Sequence, residues 1–190
     1  MMTPKRIPLL HAIAAAALIG LLTTPARAAD DPQAPVREVM RLQMSQVSAS
    51  EARRREDEGP FAPSALARFY TRGFTSAYRA ARAAIQEAED PFETDPIDGG
   101  QDSCPYDKIG MTTAPPKSEP KAGRAVVSVR FQNRQCMSGT DAERATVTTT
   151  LFDVTREGGE WRIDDVRLDG KSFKQGLIDG AKRHGKTVGR

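Results

Sequence analysis

Histidine is nearly missing from this chain, with two among 190 residues. His11 lies in the N-terminal apolar run and His184 in a basic tail. One usable histidine excludes a histidine-built metal cluster, and a Ser-His-Asp or Cys-His nucleophile would need His184 to fold back into a site. A phosphate-cradling glycine loop is also absent, because Gly158-Gly159 lacks the lysine and helix start that such a loop requires. Tryptophan occurs once, at Trp161, and cysteine only twice. Net charge is small as well, 28 Lys and Arg against 25 Asp and Glu.

Long apolar runs are absent but for one at the start. Met1 to Arg6 is a short basic head. Ile7 to Leu22 is an apolar run, and Thr23 to Ala28 a polar exit ending Ala26-Arg27-Ala28. This order predicts an export signal over residues 1–28, cleaved after Ala28. The run is shorter than the roughly 20 residues of a spanning helix, so no membrane span is expected after cleavage. Losing Lys5, Arg6 and Arg27 leaves 25 basic and 25 acidic residues. The apparent basicity therefore belongs to the leader, and nucleic acid is not an expected partner. The cluster Lys171, Lys174, Lys182, Arg183 and Lys186 is read as a solvated helix end. A periplasmic or secreted location follows, with residues 29–190 as a single domain. In an exported chain the even pair Cys104 and Cys136 reads as a disulfide. The rivals are a pair of free thiols or a redox pair, and the wide spacing is unlike the Cys-x-x-Cys of a redox site.

The apolar periodicity predicts helices, then strands. Val36, Val39, Met40, Met44 and Val47 recur at helical spacing, giving a helix from about Val36 to Ser48. Glu51 to Gly59 is a solvated charge run. Ser64 is positioned to cap a second helix bearing Leu66, Phe69 and Tyr70. Gly73 interrupts or kinks it, and Phe74, Ala77, Tyr78, Ala81 and Ile85 form a third stripe. The stretch Asp90 to Pro105 is an acidic, turn-rich connector. Its carboxylates, Glu93, Asp95, Asp98 and Asp102, do not match a calcium-binding loop, so no metal or other cofactor is expected.

Strands follow at Tyr106 to Thr113, Arg124 to Asn133 and Arg144 to Thr155, with Met137 to Glu143 as a polar hairpin loop. In the last strand, Trp161 to Leu168, the phase changes. Trp161 and Ile163 share one face, while Val166 and Leu168 fall in the opposite register. Asp164-Asp165 lies between them, where a β-bulge would bend the sheet. Phe173, Leu177, Ile178 and Ala181 form the stripe of a short C-terminal helix over Lys171 to His184. The fold class is thus α+β, helices packed on a curved, cone-like antiparallel sheet of about four strands.

At residue level, DPIDGGQD (Asp95 to Asp102), FYTRGF (Phe69 to Phe74) and GGEWRIDDVRLDGKSFKQGL (Gly158 to Leu177) resemble the exported bacterial domain-of-unknown-function family 3828, over residues 36–177. Gln101-Asp102 and the Trp161 to Asp165 run carry most of that resemblance. Tryptophan then isoleucine at a strand start also resembles the nuclear-transport-factor-two-like cone fold. That likeness implies a cavity between helices and sheet, but no activity, since the fold hosts enzymes and binding domains alike.

Carboxylate acid–base chemistry is the one enzymatic route left open. The cone-fold likeness implies an Asp and a Tyr placed in the cavity, as in isomerases. The candidates are Asp102, Asp165 and Tyr78, with Asp164, Tyr70 and Tyr106 behind them. Each has a plainer role: the acids bonding to backbone N–H groups, the tyrosines packing with the hydroxyl at a rim. The expectation is a non-enzymatic periplasmic domain that binds a protein partner or a small ligand. The alternatives are a small acid–base enzyme of isomerase or hydrolase type, and an immunity or inhibitor protein against an envelope-acting toxin or enzyme.

Overall fold

The computed structural model describes residues 31–49, 58–85, 94–100, 104–115 and 123–188. The predicted leader, most of the charge run, and Gln101 and Asp102 lie outside these residues. Three helices, α1 (Ala34–Ser48), α2 (Pro63–Phe69) and α3 (Arg72–Ile85), precede strands β1 (Asp107–Ala114) and β2 (Arg124–Gln132). A one-turn helix α4 (Asp141–Arg144) follows, then β3 (Val147–Glu157), β4 (Glu160–Leu168), the two-residue β5 (Lys171–Ser172) and α5 (Phe173–Arg183). The strands form one antiparallel sheet in the order β1-β2-β3-β4-β5, which does not close into a barrel. The α+β class and short C-terminal helix are as expected, and the sheet has five strands where about four were predicted. Among the described residues no helix is long and apolar enough to cross a membrane.

Period-two alternation places the core on one face of the sheet. Val127, Val129 and Phe131 of β2 are fully buried, as are Phe152 of β3 and Ile163 and Val166 of β4. Val36, Val39 and Met40 of α1, Leu66 of α2, Phe74 and Ala77 of α3 and Leu177 of α5 complete this cluster. Burial of such side chains contributes about 1.5–3 kcal/mol each. α3 and α5 pack against each other. Phe74 and Phe173 bring their starts together, ring centroids 6.0 Å apart. Gly73 leaves room there, since a β-carbon on it would sit 3.4 Å from Lys174 Nζ.

Four local expectations change. The helical break falls at Tyr70-Thr71, not at Gly73, which lies inside α3. Tyr70 is extended (φ −110°, ψ 157°) and bridges Ile163 in parallel. Thr71 donates its N–H to the Ile163 carbonyl at 2.9 Å. Its hydroxyl accepts the Phe74 N–H at 3.1 Å, which makes Thr71 the cap that restarts the helix. Ser64 does not cap α2; Ala62 occupies that position, with Pro63 opening the helix. The polar hairpin loop contains α4 because Thr140 and Glu143 form a capping box, and β3 accordingly starts at Val147. Finally, Val154 pairs with Ile163 and Asp153 with Asp165, leaving Asp164 unpaired as a bulge. The extra residue absorbs the phase change. Ile163 and Val166 therefore both face the core, not opposite sides.

Candidate functional site

Two acid-centred networks stand out, one at the sheet bend and one in the loop before β1. At the bend, Asp164 Oδ1 accepts the Thr71 hydroxyl at 2.8 Å and Lys174 Nζ at 2.7 Å. Asp165 Oδ1 accepts the N–H groups of Val166 (2.8 Å) and Lys174 (2.9 Å), and its Oδ2 accepts the Ser172 hydroxyl at 2.5 Å. Ser172 in turn caps α5 through the Gln175 N–H at 3.0 Å. The bulge thus aims two carboxylates at the starts of α3 and α5, where backbone N–H groups lack intrahelical partners. Burial pushes the Asp165 carboxyl up, against the lowering effect of its three donors.

The other network is built by loop 94–100, which the sequence presented only as an acidic connector. Asp95 Oδ1 accepts the Ile97 N–H at 2.7 Å and the Asp98 N–H at 3.3 Å, so an aspartate turn sets the loop. Gly99 donates back to the Asp95 carbonyl at 2.8 Å and has φ +73°, a conformation that suits glycine. Asp95 Oδ2 accepts Gln43 Nε2 of α1 at 2.7 Å. Ile97 is fully buried in the core, and its carbonyl accepts the Thr150 hydroxyl of β3 at 2.5 Å. Asp98, 6% exposed, accepts the Gly100 N–H at 2.9 Å and the Tyr106 hydroxyl at 2.6 Å. The Tyr106 ring stacks on Phe131 at 4.4 Å.

The disulfide Cys104–Cys136, Cα atoms 5.6 Å apart, ties the chain after this loop to the chain after β2. Cys104 donates its N–H to the Asn133 carbonyl at 3.0 Å. Asn133 is itself held by the Thr148 hydroxyl at 3.0 Å and donates to the Asp98 carbonyl at 3.4 Å. Between the loop and this braced segment lies a cleft of about 300 Å³ lined by Thr94, Asp98, Gly99, Gly100, Asn133, Arg134 and Met137.

Electrostatics separates this loop from the bend. Burial, and secondarily the neighbouring Asp98 charge, raises the Asp95 carboxyl to about 6. Burial and Asp98 likewise raise the Tyr106 phenol, which stays protonated and donates. Tyr70 is raised well above the usual phenol range by burial, with Asp95 adding to it, and its hydroxyl has no hydrogen-bond partner among the described residues.

The sequence candidates are dispersed. Asp164 and Asp165 sit at the bend, with Trp161 and Ile163 earlier on the same strand. Trp161 is half-buried with Arg156 over its ring. Tyr78 and Tyr70 flank Phe61, ring centroids at 5.5 and 5.8 Å, within an aromatic cluster. Of the candidate tyrosines, Tyr106 joins the cleft network. Asp98 and Asp95, which had been counted only as connector acids, supply the carboxylates there. The signal that could have found them is the Asp-x-x-Asp-Gly run with one isoleucine inside it. Among the described residues, no group of three or more His, Cys, Asp or Glu side chains is placed to hold a metal ion. No protein-family model matches the chain, and no curated protein matches it.

Proposed function

We propose that this chain is a soluble periplasmic binding domain without catalytic activity, and that the cleft beside Asp98 takes a small polar ligand or a projecting segment of a protein partner. The observation that carries this reading is how the carboxylate oxygens at the cleft are used. Each oxygen of Asp95 and Asp98 accepts at least one donor that holds the loop itself. The acids therefore shape a concave surface, and neither is aimed outward as a free base. A disulfide beside the cleft limits rearrangement on binding. An immunity or inhibitor role against an envelope-acting toxin or enzyme is one form of the same reading. So is membership of the exported family 3828 that the sequence resembles.

The test is an NMR titration of the exported protein with fractionated periplasmic small molecules and with peptides. Saturable shifts at the Gly99, Gly100 and Asn133 amides, weakened by Asn133→Ala, support cleft binding. Shifts confined to other surfaces remove it. One observation favours the acid–base alternative: Asp98 lines the cleft, bonds Tyr106, and lies beside a second carboxyl raised to about 6. Turnover of a bound compound, abolished by Asp98→Asn, would replace the binding reading with that one.

A further inference from the structure

The two ends of the Cys104–Cys136 bond differ in their surroundings. Cys104 is 1% exposed, whereas Cys136 stands on an exposed turn after β2. The Cys136 N–H donates to Cys104 Sγ at 2.8 Å. The bond also tethers that turn. Among the described residues, the other hydrogen bonds of residues 134–139 stay local. Met137 N–H donates to the Arg134 carbonyl at 3.1 Å, Gln135 Nε2 to the Gln132 carbonyl at 2.9 Å, and Arg144 to the Gly139 carbonyl. Holding the turn down leaves one group unsatisfied. Gln135 Oε1 is buried and has no hydrogen-bond partner among the described residues, a cost that lifting of the turn relieves by giving the oxygen to water.

We propose that the Cys104–Cys136 bond is a redox clasp, opened at Cys136 by a thiolate of a dithiol reductant, and that opening it frees turn 134–139. Exchange proceeds by attack of a thiolate on one sulfur of the disulfide, and access decides which. A thiol arriving from solvent meets Cys136. Its sulfur bonds to Cys136 Sγ, the Cys104–Cys136 bond breaks, and the electron pair leaves on Cys104 Sγ. Burial opposes a charge there, but the Cys136 N–H donor favours the departing thiolate, which then takes a proton from solvent. The reductant's second thiolate displaces Cys136 from the mixed disulfide, and Cys136 is protonated in turn. Two thiols remain on the protein and the reductant is left as a disulfide, two electrons having passed.

Asn133, Arg134 and Met137 line the cleft, so the turn supplies one of its walls. The oxidised protein holds that wall fixed, and the reduced protein lets it move. Asn133 keeps its own bonds to the Cys104 N–H at 3.0 Å and the Thr148 hydroxyl at 3.0 Å. Loosening therefore begins at Arg134 and leaves β2 in place. The clasp rests on the disulfide and the turn and not on the cleft having a ligand, so it stands or falls separately from the binding reading.

Two measurements on the unaltered protein test this. In the first, the oxidised protein is incubated briefly with glutathione, alkylated rapidly and mapped by peptide mass. Glutathione should be found on Cys136 and the alkyl group on Cys104, in about tenfold excess or more over the reverse. Equal labelling, glutathione on Cys104, or no adduct would overturn the proposal. In the second, ¹⁵N relaxation is compared before and after reduction by dithiothreitol. The amides of Gln135, Cys136, Met137 and Ser138 should have order parameters near about 0.8 when oxidised and below about 0.6 when reduced, while Val129 of β2 stays near about 0.85 in both. A turn that stays rigid on reduction would overturn the clasp. So would Val129 losing its order together with the turn, since the bond would then be a staple of the whole fold.

Discussion

Replacing Asp165 by alanine and by asparagine should destabilise the protein by very different amounts. Asp165 accepts three donors: the Val166 and Lys174 N–H groups and the Ser172 hydroxyl. Alanine leaves two N–H groups at the sheet bend without their acceptor, each costing about 1–3 kcal/mol where water is excluded. The Ser172 hydroxyl is half-buried and can turn to solvent, so its loss adds little. The sum is about 2–6 kcal/mol, or roughly 4–24 °C in melting temperature for a domain of this size. Asparagine keeps a carbonyl oxygen for the two N–H groups. It also removes a charge that burial already disfavours, since the Asp165 carboxyl is raised by desolvation. Asp165→Asn should therefore fall within about 1 kcal/mol of the parent, the usual margin when an acceptor is retained. Urea denaturation at pH 7, with the disulfide intact, measures both. An asparagine variant as unstable as the alanine variant would refute the acceptor reading and assign the anchoring to charge. An alanine variant with parental stability would mean that the bend is not fixed by Asp165 at all.

Three further changes probe the other network and the core. Ile97→Ala empties a fully buried position and should cost about 2–4 kcal/mol in urea denaturation; parental stability would show that the loop is not seated in the core. Replacing Cys104 and Cys136 by serine opens a closure spanning 32 residues and should cost about 3–4 kcal/mol by loop entropy, once intact mass with and without reductant has confirmed the bond. Tyr70→Phe removes a buried hydroxyl that has no hydrogen-bond partner among the described residues. It should leave stability unchanged or raise it by up to about 2 kcal/mol, and a loss above about 1 kcal/mol would reveal a partner for that hydroxyl.

The sheet was legible because its signals are periodic. Val127, Val129 and Phe131 alternate without exception, and they face the core together. The bulge was legible for a related reason: a phase change between Ile163 and Val166 needs one extra residue, and Asp164 is that residue. What the phase alone did not convey is its consequence, that the inserted residue returns both apolar side chains to one face. The break between α2 and α3 was misplaced because Gly73 is the strongest local breaker. Thr71, which ends one helix and caps the next, depends on a contact with β4 some ninety residues away. Loop 94–100 was hidden for the opposite reason. A single isoleucine among acids, glycines and prolines makes no periodic pattern, yet its burial converts a surface connector into the wall of a cleft.

The two acid networks show why composition is a poor guide to where chemistry resides. Asp164 and Asp165 attract attention in the sequence as adjacent acids in a strand, but at the bend they meet complementary groups. Lys174 Nζ lies 2.7 Å from Asp164, and the N–H groups at the start of α5 serve Asp165. Positive potential at helix starts is what carboxylates favour, so this pair is matched to the architecture that it joins. Asp95 and Asp98 are three residues apart in a loop and look like solvated turn residues. Packing surrounds them with a glutamine, an asparagine, a threonine and two phenols, none of which carries positive charge at neutral pH. Burial, and after it the Asp98 charge, therefore raises the Asp95 carboxyl to about 6. Its neighbour Asp98 lies on the wall of the cleft. The acid that burial raises to about 6 therefore lies in the loop, while the acids at the bend meet complementary donors.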